Sequence, residues 1–143
     1  FLSFDGELDT QPLIEQLWRA GKRVYLPVLH PFSASNLLFL NYHPQSELVM
    51  NRLKIHEPKL DVRDVLPLSR LDVLITPLVA FDEYGQRLGM GGGFYDRTLQ
   101  NWQHYKTQPV GYAHDCQLVE KLPVEEWDIP LPAVVTPSKV WEW

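Results

Sequence analysis

Apolar residues recur along this chain at two spacings, one typical of helices and one typical of strands. Between positions 13 and 18 they follow the helical spacing, with Thr10 placed to cap the helix, Pro12 in its first turn and Gly21 beyond its end. This stretch predicts a helix over Gln11–Ala20.

Five short apolar runs that are rich in β-branched and aromatic residues predict strands, at Val24–Leu29, Leu37–Tyr42, Val73–Leu78, Val110–Ala113 and Ala133–Thr136. The first strand is expected to end near Pro27, because proline cannot donate to a ladder. The third is apolar on both faces, as a central parallel strand is. A second helix is predicted over Phe94–Gln103, where Tyr95, Leu99 and Trp102 share one face.

The last two strands are separated by a predicted helical turn around Leu118–Leu122. The stretch His56–Leu68, with Pro58 and Pro67, is interpreted as a long surface excursion. Strands that alternate with helices predict an α/β fold with a mostly parallel sheet and helices on both faces. The length of 143 residues is that of one domain, so a single domain over 1–143 is expected.

Composition and charge exclude several classes of protein. Hydrophobic residues make up 45% of the chain and charged residues 22%, which excludes disordered and collagen-like chains. The net charge of −5 and the absence of a basic tract argue against nucleic acid as a partner. No apolar run approaches the roughly 18 residues that a membrane span requires, so no membrane partner is expected. A single cysteine, Cys116, favours a reducing, cytoplasmic location.

The most informative segment is a glycine-rich loop that follows a predicted strand and precedes a predicted helix. Gly89, Gly91, Gly92 and Gly93 remove most side chains there, so backbone N–H groups can converge on an anion such as phosphate. No Lys-Ser/Thr pair follows, as a Walker A loop would need, and Phe94 replaces the last glycine of a dinucleotide fingerprint. The alternative interpretation is a flexible turn between strand and helix.

Charged residues flank this loop. Asp96 in the first helical turn would repel phosphate unless a divalent cation lay between them, or it could simply stabilise the helix dipole. Arg87 is interpreted either as a phosphate clamp or as a solvated loop charge. Arg97 is expected to pair with a nearby carboxylate.

Other chemistry-bearing residues carry less information. His114, Asp115 and Cys116 combine a base, an acid and a nucleophile, but neighbours in sequence rarely point at one another. The five histidines show no spacing typical of a zinc site. No residue is therefore assigned as a nucleophile or a base.

Taken in order, these residues resemble the 5-formyltetrahydrofolate cyclo-ligases, also called 5,10-methenyltetrahydrofolate synthetases. The segment Arg87–Arg97 is similar to that family's pattern R-L-G-x-G-x-G-[FY]-Y-D-[RK]. Further parts of the family's pattern occur in the same order over nearly the whole chain: Gly6-Glu7-x-Asp9-Thr10, Val24–Pro27, Glu57-Pro58, Pro77–Asp82, Gly111–Ala113 with Gln117, Trp127-Asp128 in place of the usual His-Asp, and Val135-Thr136. The resemblance is to a bacterial member.

The resemblance implies an enzyme that uses ATP and Mg²⁺ to convert 5-formyltetrahydrofolate to 5,10-methenyltetrahydrofolate, releasing ADP and phosphate. It also implies a three-layer α/β fold of the type shared with sugar-phosphate isomerases and CoA transferases. The resemblance assigns ATP binding to nine consecutive residues: Arg87, Leu88, Gly89, Met90, Gly91, Gly92, Gly93, Phe94 and Tyr95. It assigns folate binding to Leu2, Glu7, Met90, Gly91, Gly92, Gly93 and Phe94, and metal binding to Asp96 and Asp128.

Two further expectations accompany this assignment. Family members begin with a basic helical segment that reaches the ATP phosphates, and this chain, which opens Phe1-Leu2-Ser3-Phe4, is expected to lack it. The protein is expected to be a monomer. The alternative function is a non-catalytic sensor domain for a phosphorylated ligand on a similar α/β scaffold, which would need the anion-binding loop but no pair of metal carboxylates.

Overall fold

The structure is a computed structural model, and it describes residues 1, 8–29, 37–51, 56–89, 94–125 and 128–143. Within these residues the helices are α1 Gln11–Arg19 and α2 Phe94–Leu99. The strands are β1 Val24–Leu29, β2 Leu37–Tyr42, β3 Leu48–Met50, β4 His56–Pro58, β5 Val65–Leu66, β6 Val73–Thr76, β7 Ala80–Phe81, β8 Arg87–Leu88, β9 Gln108–Tyr112, β10 Ala133–Val135 and β11 Val140–Glu142. Short 3-10 turns lie at Val62–Asp64, Leu68–Arg70, Trp102–His104 and Asp115–Gln117.

The chain divides into two compact units, Phe1–Leu68 and Ser69–Trp143. In the first unit β2 lies between β1 and β5, and both pairings are antiparallel. A separate antiparallel hairpin joins β3 and β4. The predicted surface excursion over His56–Leu68 is mostly exposed, but two parts of it, β4 and β5, pair in sheets, which was not predicted. The prediction of a single domain stays a prediction.

Helix α1 confirms the predicted helix to within one residue. Its apolar face packs Ile14 into a core with Leu26 and Tyr42, and the Trp18 indole N–H donates to the Tyr42 carbonyl at 3.0 Å. The predicted cap by Thr10 is wrong in detail. The Thr10 hydroxyl donates to the Phe1 carbonyl at 2.6 Å, and the preceding aspartate accepts the Gln11 N–H instead.

Strand β1 runs through Pro27 and ends only at Leu29, contrary to the expectation that it ends near the proline. Among the described strands β1 lies at the edge of its sheet and pairs only with β2. An edge strand needs only half of its backbone groups for pairing, so the missing N–H of Pro27 is tolerated.

The second unit holds a four-stranded sheet in the order β11, β10, β9, β6. Strands β6, β9 and β10 are parallel, and β11 pairs antiparallel with β10. Gly111 lets this sheet pack closely, since a Cβ there would lie 2.9 Å from side-chain atoms of Leu131 and Val134. The connection from β6 to the parallel β9 contains β7, β8 and α2, and the glycine-rich loop lies between β8 and α2 in the sequence.

The α/β class is confirmed, but the described sheets are mixed rather than mostly parallel. Among the described strands the parallel pairs are β6–β9 and β9–β10, and the other strand pairs are antiparallel. Strand β6 is also an edge strand among those described, not a central one, and Val73 is accordingly exposed. It ends at Thr76, just before the proline of the predicted strand.

The remaining boundaries differ for local reasons. Helix α2 ends at Leu99 rather than Gln103, because Gln100 donates to the Arg97 carbonyl and so tightens the last turn. The 3-10 turn lies at Asp115–Gln117 rather than Leu118–Leu122, since Leu118 forms a bridge with Phe81 in β7. None of the helices in the described segments has the length and apolar character required to cross a membrane.

Candidate functional site

The residues that precede the glycine-rich loop form a tight hairpin in the second unit. Strands β7 and β8 pair antiparallel, with Ala80 opposite Leu88 and Phe81 opposite Arg87. Between them Gly85 has φ +83°, a left-handed conformation that suits glycine, and a Cβ there would lie 2.7 Å from the Leu131 carbonyl oxygen. The turn is therefore fixed by backbone geometry as well as by sequence.

The Asp82 carboxylate holds this hairpin in place from the inside. It is fully buried, and its Oδ1 accepts the backbone N–H groups of Tyr84 and Gln86 at 2.9 and 3.0 Å. Its Oδ2 accepts the N–H of Leu122 at 3.0 Å, from a segment 40 residues away. Asp82 thus ties the β7–β8 turn to the chain that follows β9, which sequence reasoning did not foresee.

Gln117 also forms hydrogen bonds to the chain that leads into the same hairpin. Its side-chain amide donates to the carbonyls of Leu78 and Val79 at 2.8 and 3.1 Å, and its Oε1 accepts the N–H of His114 at 2.7 Å. Gln117 belongs to the family pattern in the sequence, but that pattern assigns it no role. Since its partners lie 38 and 39 residues away, no local signal in the sequence could have assigned one.

Arg87 is enclosed rather than solvated, so its interpretation as a solvated loop charge is wrong. Its side chain is only 4% exposed, and Nη2 lies 3.2 Å from Oδ1 of Asp96. Nη1 donates to the Pro77 carbonyl at 3.3 Å, and the guanidinium carbon lies 5.9 Å from the centre of the Tyr95 ring. Within the described part of the chain its buried Nε has no hydrogen-bond partner.

Of the two carboxylates predicted to bind metal, Asp96 contacts the backbone of the segment that carries Asp128. Oδ1 of Asp96 accepts the backbone N–H of Ile129 at 3.3 Å, and Ile129 directly follows Asp128 along the chain. The Asp128 side chain turns back on its own loop, where Oδ2 accepts the N–H of Glu125 at 2.9 Å. The segment that carries Asp128 is therefore anchored on Asp96.

This donor set fits magnesium. Mg²⁺ prefers oxygen ligands and is usually bound by one or two carboxylates together with substrate phosphates and water. Among the described residues no cluster of three or more His, Cys, Asp or Glu forms a complete metal cage, and such a site does not require one. The contacts of Asp96 with Arg87 and Ile129 both use Oδ1, and a carboxylate held through one oxygen can bind a cation through the other.

The other predicted ligand-binding residues are divided between described and undescribed parts of the chain. Phe94 and Tyr95 are half-buried in the first turn of α2, and Leu88 is exposed at the end of β8. The Arg97 guanidinium lies over the Phe94 ring at 5.6 Å. The remaining predictions, which concern Leu2, Glu7, Met90, Gly91, Gly92 and Gly93, lie outside the described residues.

In the sequence triplet His114-Asp115-Cys116, the aspartate is hydrogen-bonded to a residue outside the triplet. The triplet lies at a 3-10 turn, and Cys116 is exposed with a free thiol. Asp115 is engaged elsewhere, since its Oδ1 accepts the Ser138 hydroxyl at 2.7 Å. Hydrogen bonds from the side chains of Thr136 and Ser138 hold the pKa of the Asp115 carboxyl below its usual range.

Comparison with known proteins gives consistent matches over nearly the whole chain. A family model described as the 5-formyltetrahydrofolate cyclo-ligase family matches residues 1–137. A 5-formyltetrahydrofolate cyclo-ligase of Escherichia coli strain K12 is 99% identical over 143 residues, which is all of this chain and 79% of that protein. The protein of the same name from Haemophilus influenzae is 61% identical over 131 residues, covering 92% of this chain and 70% of its own length.

Solved structures give the same picture. The NMR structure of Aquifex aeolicus 5,10-methenyltetrahydrofolate synthetase matches with a TM-score of 0.79 and 31% identity, over 98% of this chain and 68% of that one. A 5,10-methenyltetrahydrofolate synthetase from Mycoplasma pneumoniae matches with a TM-score of 0.67 and 22% identity, over 92% of this chain and 67% of that one. The second likeness bears on the fold alone.

Proposed function

Because this chain belongs to the 5-formyltetrahydrofolate cyclo-ligase family, we propose that it converts 5-formyltetrahydrofolate to 5,10-methenyltetrahydrofolate at the expense of ATP. The observation that carries the proposal is the family match over residues 1–137, which includes the whole glycine segment and both metal-binding candidates. The alternative of a non-catalytic sensor domain has no support of this kind, since the relatives are named as enzymes.

The reaction needs an activated formyl oxygen. That oxygen attacks the γ-phosphorus of ATP, so a new P–O bond forms while the bond to ADP breaks. N10 of the folate then attacks the formyl carbon and loses its proton. Departure of phosphate with the C–O electron pair leaves the methenyl bridge between N5 and N10. Positioning and charge neutralisation dominate such phosphoryl transfers, so a site without a protein nucleophile is adequate.

ATP is proposed to bind along the backbone of residues 88–95, which follow Arg87. Backbone N–H groups of a glycine-rich segment can approach phosphate oxygens closely, because no Cβ intervenes. The Asp82 and Gln117 contacts support this by fixing the β7–β8 hairpin from which the segment starts. Phe94 and Tyr95 close the proposed ATP site at the start of α2.

Asp96 and Asp128 are proposed to hold a magnesium ion. A bound magnesium ion would neutralise negative charge on the phosphates of ATP. The supporting observation is the contact between Asp96 and the backbone of Ile129, which keeps the Asp128 segment beside Asp96. Asp96 also keeps the buried guanidinium of Arg87 neutralised.

The folate is proposed to contact Leu2, Glu7 and the segment Met90–Phe94. A carboxylate such as Glu7 can accept hydrogen bonds from the amine-bearing edge of the pterin, and the Phe94 ring offers a flat face for stacking. A monomer in the cytoplasm is proposed as well. The cytoplasmic location is supported by the single cysteine, which leaves no possibility of an internal disulfide.

The test is to incubate the protein with 5-formyltetrahydrofolate, ATP and Mg²⁺ and to follow the absorbance of the methenyl product. Product should form only when ATP and a divalent cation are both present. Asp128→Asn should abolish turnover at limiting Mg²⁺, while the matched control Asp72→Asn, an exposed carboxylate in the same unit, should retain it. Undiminished turnover in excess EDTA would exclude the metal-dependent mechanism.

A further inference from the structure

The guanidinium of Arg87 points into the protein rather than toward an open binding surface. Both of its terminal nitrogens are used internally, Nη2 on Asp96 at 3.2 Å and Nη1 on the Pro77 carbonyl at 3.3 Å. The Tyr95 ring covers it at 5.9 Å, and the side chain is 4% exposed. A phosphate clamp would be expected to present these nitrogens to the ligand.

The lack of a side chain at Gly89 leaves room for the Arg87 guanidinium. A Cβ at position 89 would lie 2.8 Å from Nη1 of Arg87 and 3.7 Å from its Cζ. Nη1 cannot easily move away, because it is hydrogen-bonded to Pro77 and its neighbour Nη2 is paired with Asp96. The glycine two residues after Arg87 therefore makes room for the arginine, which is a different task from admitting a phosphate.

The Asp96 carboxylate is held by Arg87 from one side and by the backbone of Ile129 from the other, and both contacts use Oδ1. Two fixed contacts on one oxygen set the orientation of the whole carboxylate. The second oxygen is then presented in a defined direction. Partners of this kind around metal-binding side chains typically change metal affinity by 10–100-fold when they are removed (an order-of-magnitude range).

We propose that Arg87 is a positioning residue, which orients Asp96 for the divalent cation instead of contacting the ATP phosphates, with Gly89 providing the space for it. The inference rests on the proposed function, because it takes Asp96 as a metal-binding residue. Arginine suits this task better than lysine, since its planar fork can engage the carboxylate and the carbonyl together. The competing role is a direct phosphate contact through the buried Nε.

Two binding measurements separate these roles. The first is the affinity for ATP in excess EDTA, measured by calorimetry. The second is the affinity for Mn²⁺, used as a spectroscopic substitute for Mg²⁺, measured by electron paramagnetic resonance without ATP, because free ATP would itself bind the ion. Arg87→Gln should leave the metal-free ATP affinity unchanged and weaken Mn²⁺ binding by about tenfold or more. Arg87→Lys should restore only part of the Mn²⁺ affinity.

A double-mutant cycle tests whether Arg87 acts through Asp96. Asp96→Asn alone should weaken Mn²⁺ binding, and adding Arg87→Gln should cause little further loss, because the two residues act as one unit. Independent, additive losses would overturn the inference. Arg70→Gln, which removes an exposed arginine of the same unit, is the control for a change of charge and should alter neither affinity.

A second variant covers the case in which Arg87→Gln fails to fold. Gly89→Ala keeps every charge but crowds Nη1, so it should reproduce the selective loss of Mn²⁺ affinity. If either variant loses metal-free ATP affinity while Mn²⁺ binding is retained, Arg87 contacts phosphate directly. The inference about Arg87 is then overturned, whereas the proposed function is not. If the unsubstituted protein binds neither ATP nor Mn²⁺ and forms no product, the proposed function fails and the inference fails with it.

Discussion

The structural role of a carboxylate in this protein depends on the groups that surround it. Asp82 is fully buried, and its partners are three backbone N–H groups of Tyr84, Gln86 and Leu122. Asp61 lies at the surface and pairs with Arg63 across a single 3-10 turn. The first arrangement joins distant segments, whereas the second is local.

Asp82→Asn should destabilise the protein although it barely changes the volume of the side chain. An amide has one acceptor oxygen, so at least one buried N–H loses its partner and faces an NH₂ group. Hydrogen bonds to charged groups are worth about 1.5–3 kcal/mol each, and a loss of about that size in the free energy of unfolding is expected in urea titrations. Glu83→Gln, at the exposed next position, is the control and should change it little. Equal stability of the two variants would contradict the role of Asp82 as an anchor.

Asp61 should titrate in the folded protein at a pKa of about 2, below its ordinary value of 3.8. The causes are the hydrogen bonds from the Arg63 side chain and then from the Arg63 backbone N–H. A lowered folded pKa means that any stabilisation is complete above the unfolded pKa and is lost as the pH falls through the folded value. Because the pair is exposed, its effect on stability should be small. Carbon NMR of the carboxyl group would measure the titration, and Arg63→Gln should move it upward; no movement would rule out Arg63 as the cause.

At the scale of elements, the β7–β8 hairpin depends on a glycine for two separate reasons. Gly85 has φ +83°, and the space for a side chain is blocked by the Leu131 carbonyl and the Trp143 ring. Gly21, after α1, has φ +75° with nothing within 4 Å of its would-be Cβ. A comparison of substitutions at the two glycines therefore distinguishes the effect of backbone strain from that of steric exclusion.

Gly85→Ala should lower the free energy of unfolding by more than Gly21→Ala does. Left-handed strain for a non-glycine residue costs on the order of 1–3 kcal/mol, and both variants bear it. Only Gly85→Ala adds the collision with Leu131. Thermal unfolding of the two variants in parallel gives the comparison. A Gly85→Ala protein as stable as Gly21→Ala would mean that the hairpin moves freely to relieve the contact.

Much of the fold follows from local sequence. The helix at Gln11–Arg19 and the strand at Leu37–Tyr42 were predicted to within a residue, because the spacing of apolar residues and the residues that flank each element mark where it begins and ends. The β7–β8 hairpin was missed, although an aspartate three residues before a glycine is a recognisable turn signal at Asp82 and Gly85. Strand order could not be predicted, because pairing partners lie far apart in sequence.

The candidate site could be predicted as a segment of the sequence, but the contacts among its residues could not. Residues 87–96 stand out in the sequence for their glycines and flanking charges. The pairing of Arg87 with Asp96 depends on where α2 begins and on the direction of two side chains. Its closeness to the Asp128 segment depends on the chain returning after β9. Neither relation has a local pattern, so both required the three-dimensional structure.

At the scale of the whole molecule, the net charge disfavours the binding of ATP, the proposed co-substrate. The net charge is −5, from 13 basic and 18 acidic residues, and ATP is an anion. Arg87, the described cation nearest to the glycine segment in sequence, is already neutralised by Asp96. Long-range electrostatics should therefore repel ATP, and short-range dipoles together with a divalent cation must supply the attraction.

The metal-free affinity for ATP should accordingly stay constant or rise as salt is added. Raising the ionic strength from about 0.01 M to about 0.15 M shortens the Debye length from about 30 Å to about 8 Å, which screens the repulsion from distant acidic residues. A site that gripped phosphate with basic side chains would behave in the opposite way and lose affinity. Calorimetric titration with ATP in EDTA at the two ionic strengths provides the measurement, and uncharged adenosine serves as the control, since its affinity should not respond to salt. A steep fall in ATP affinity with salt would show that basic side chains near the phosphates outweigh the net charge of −5.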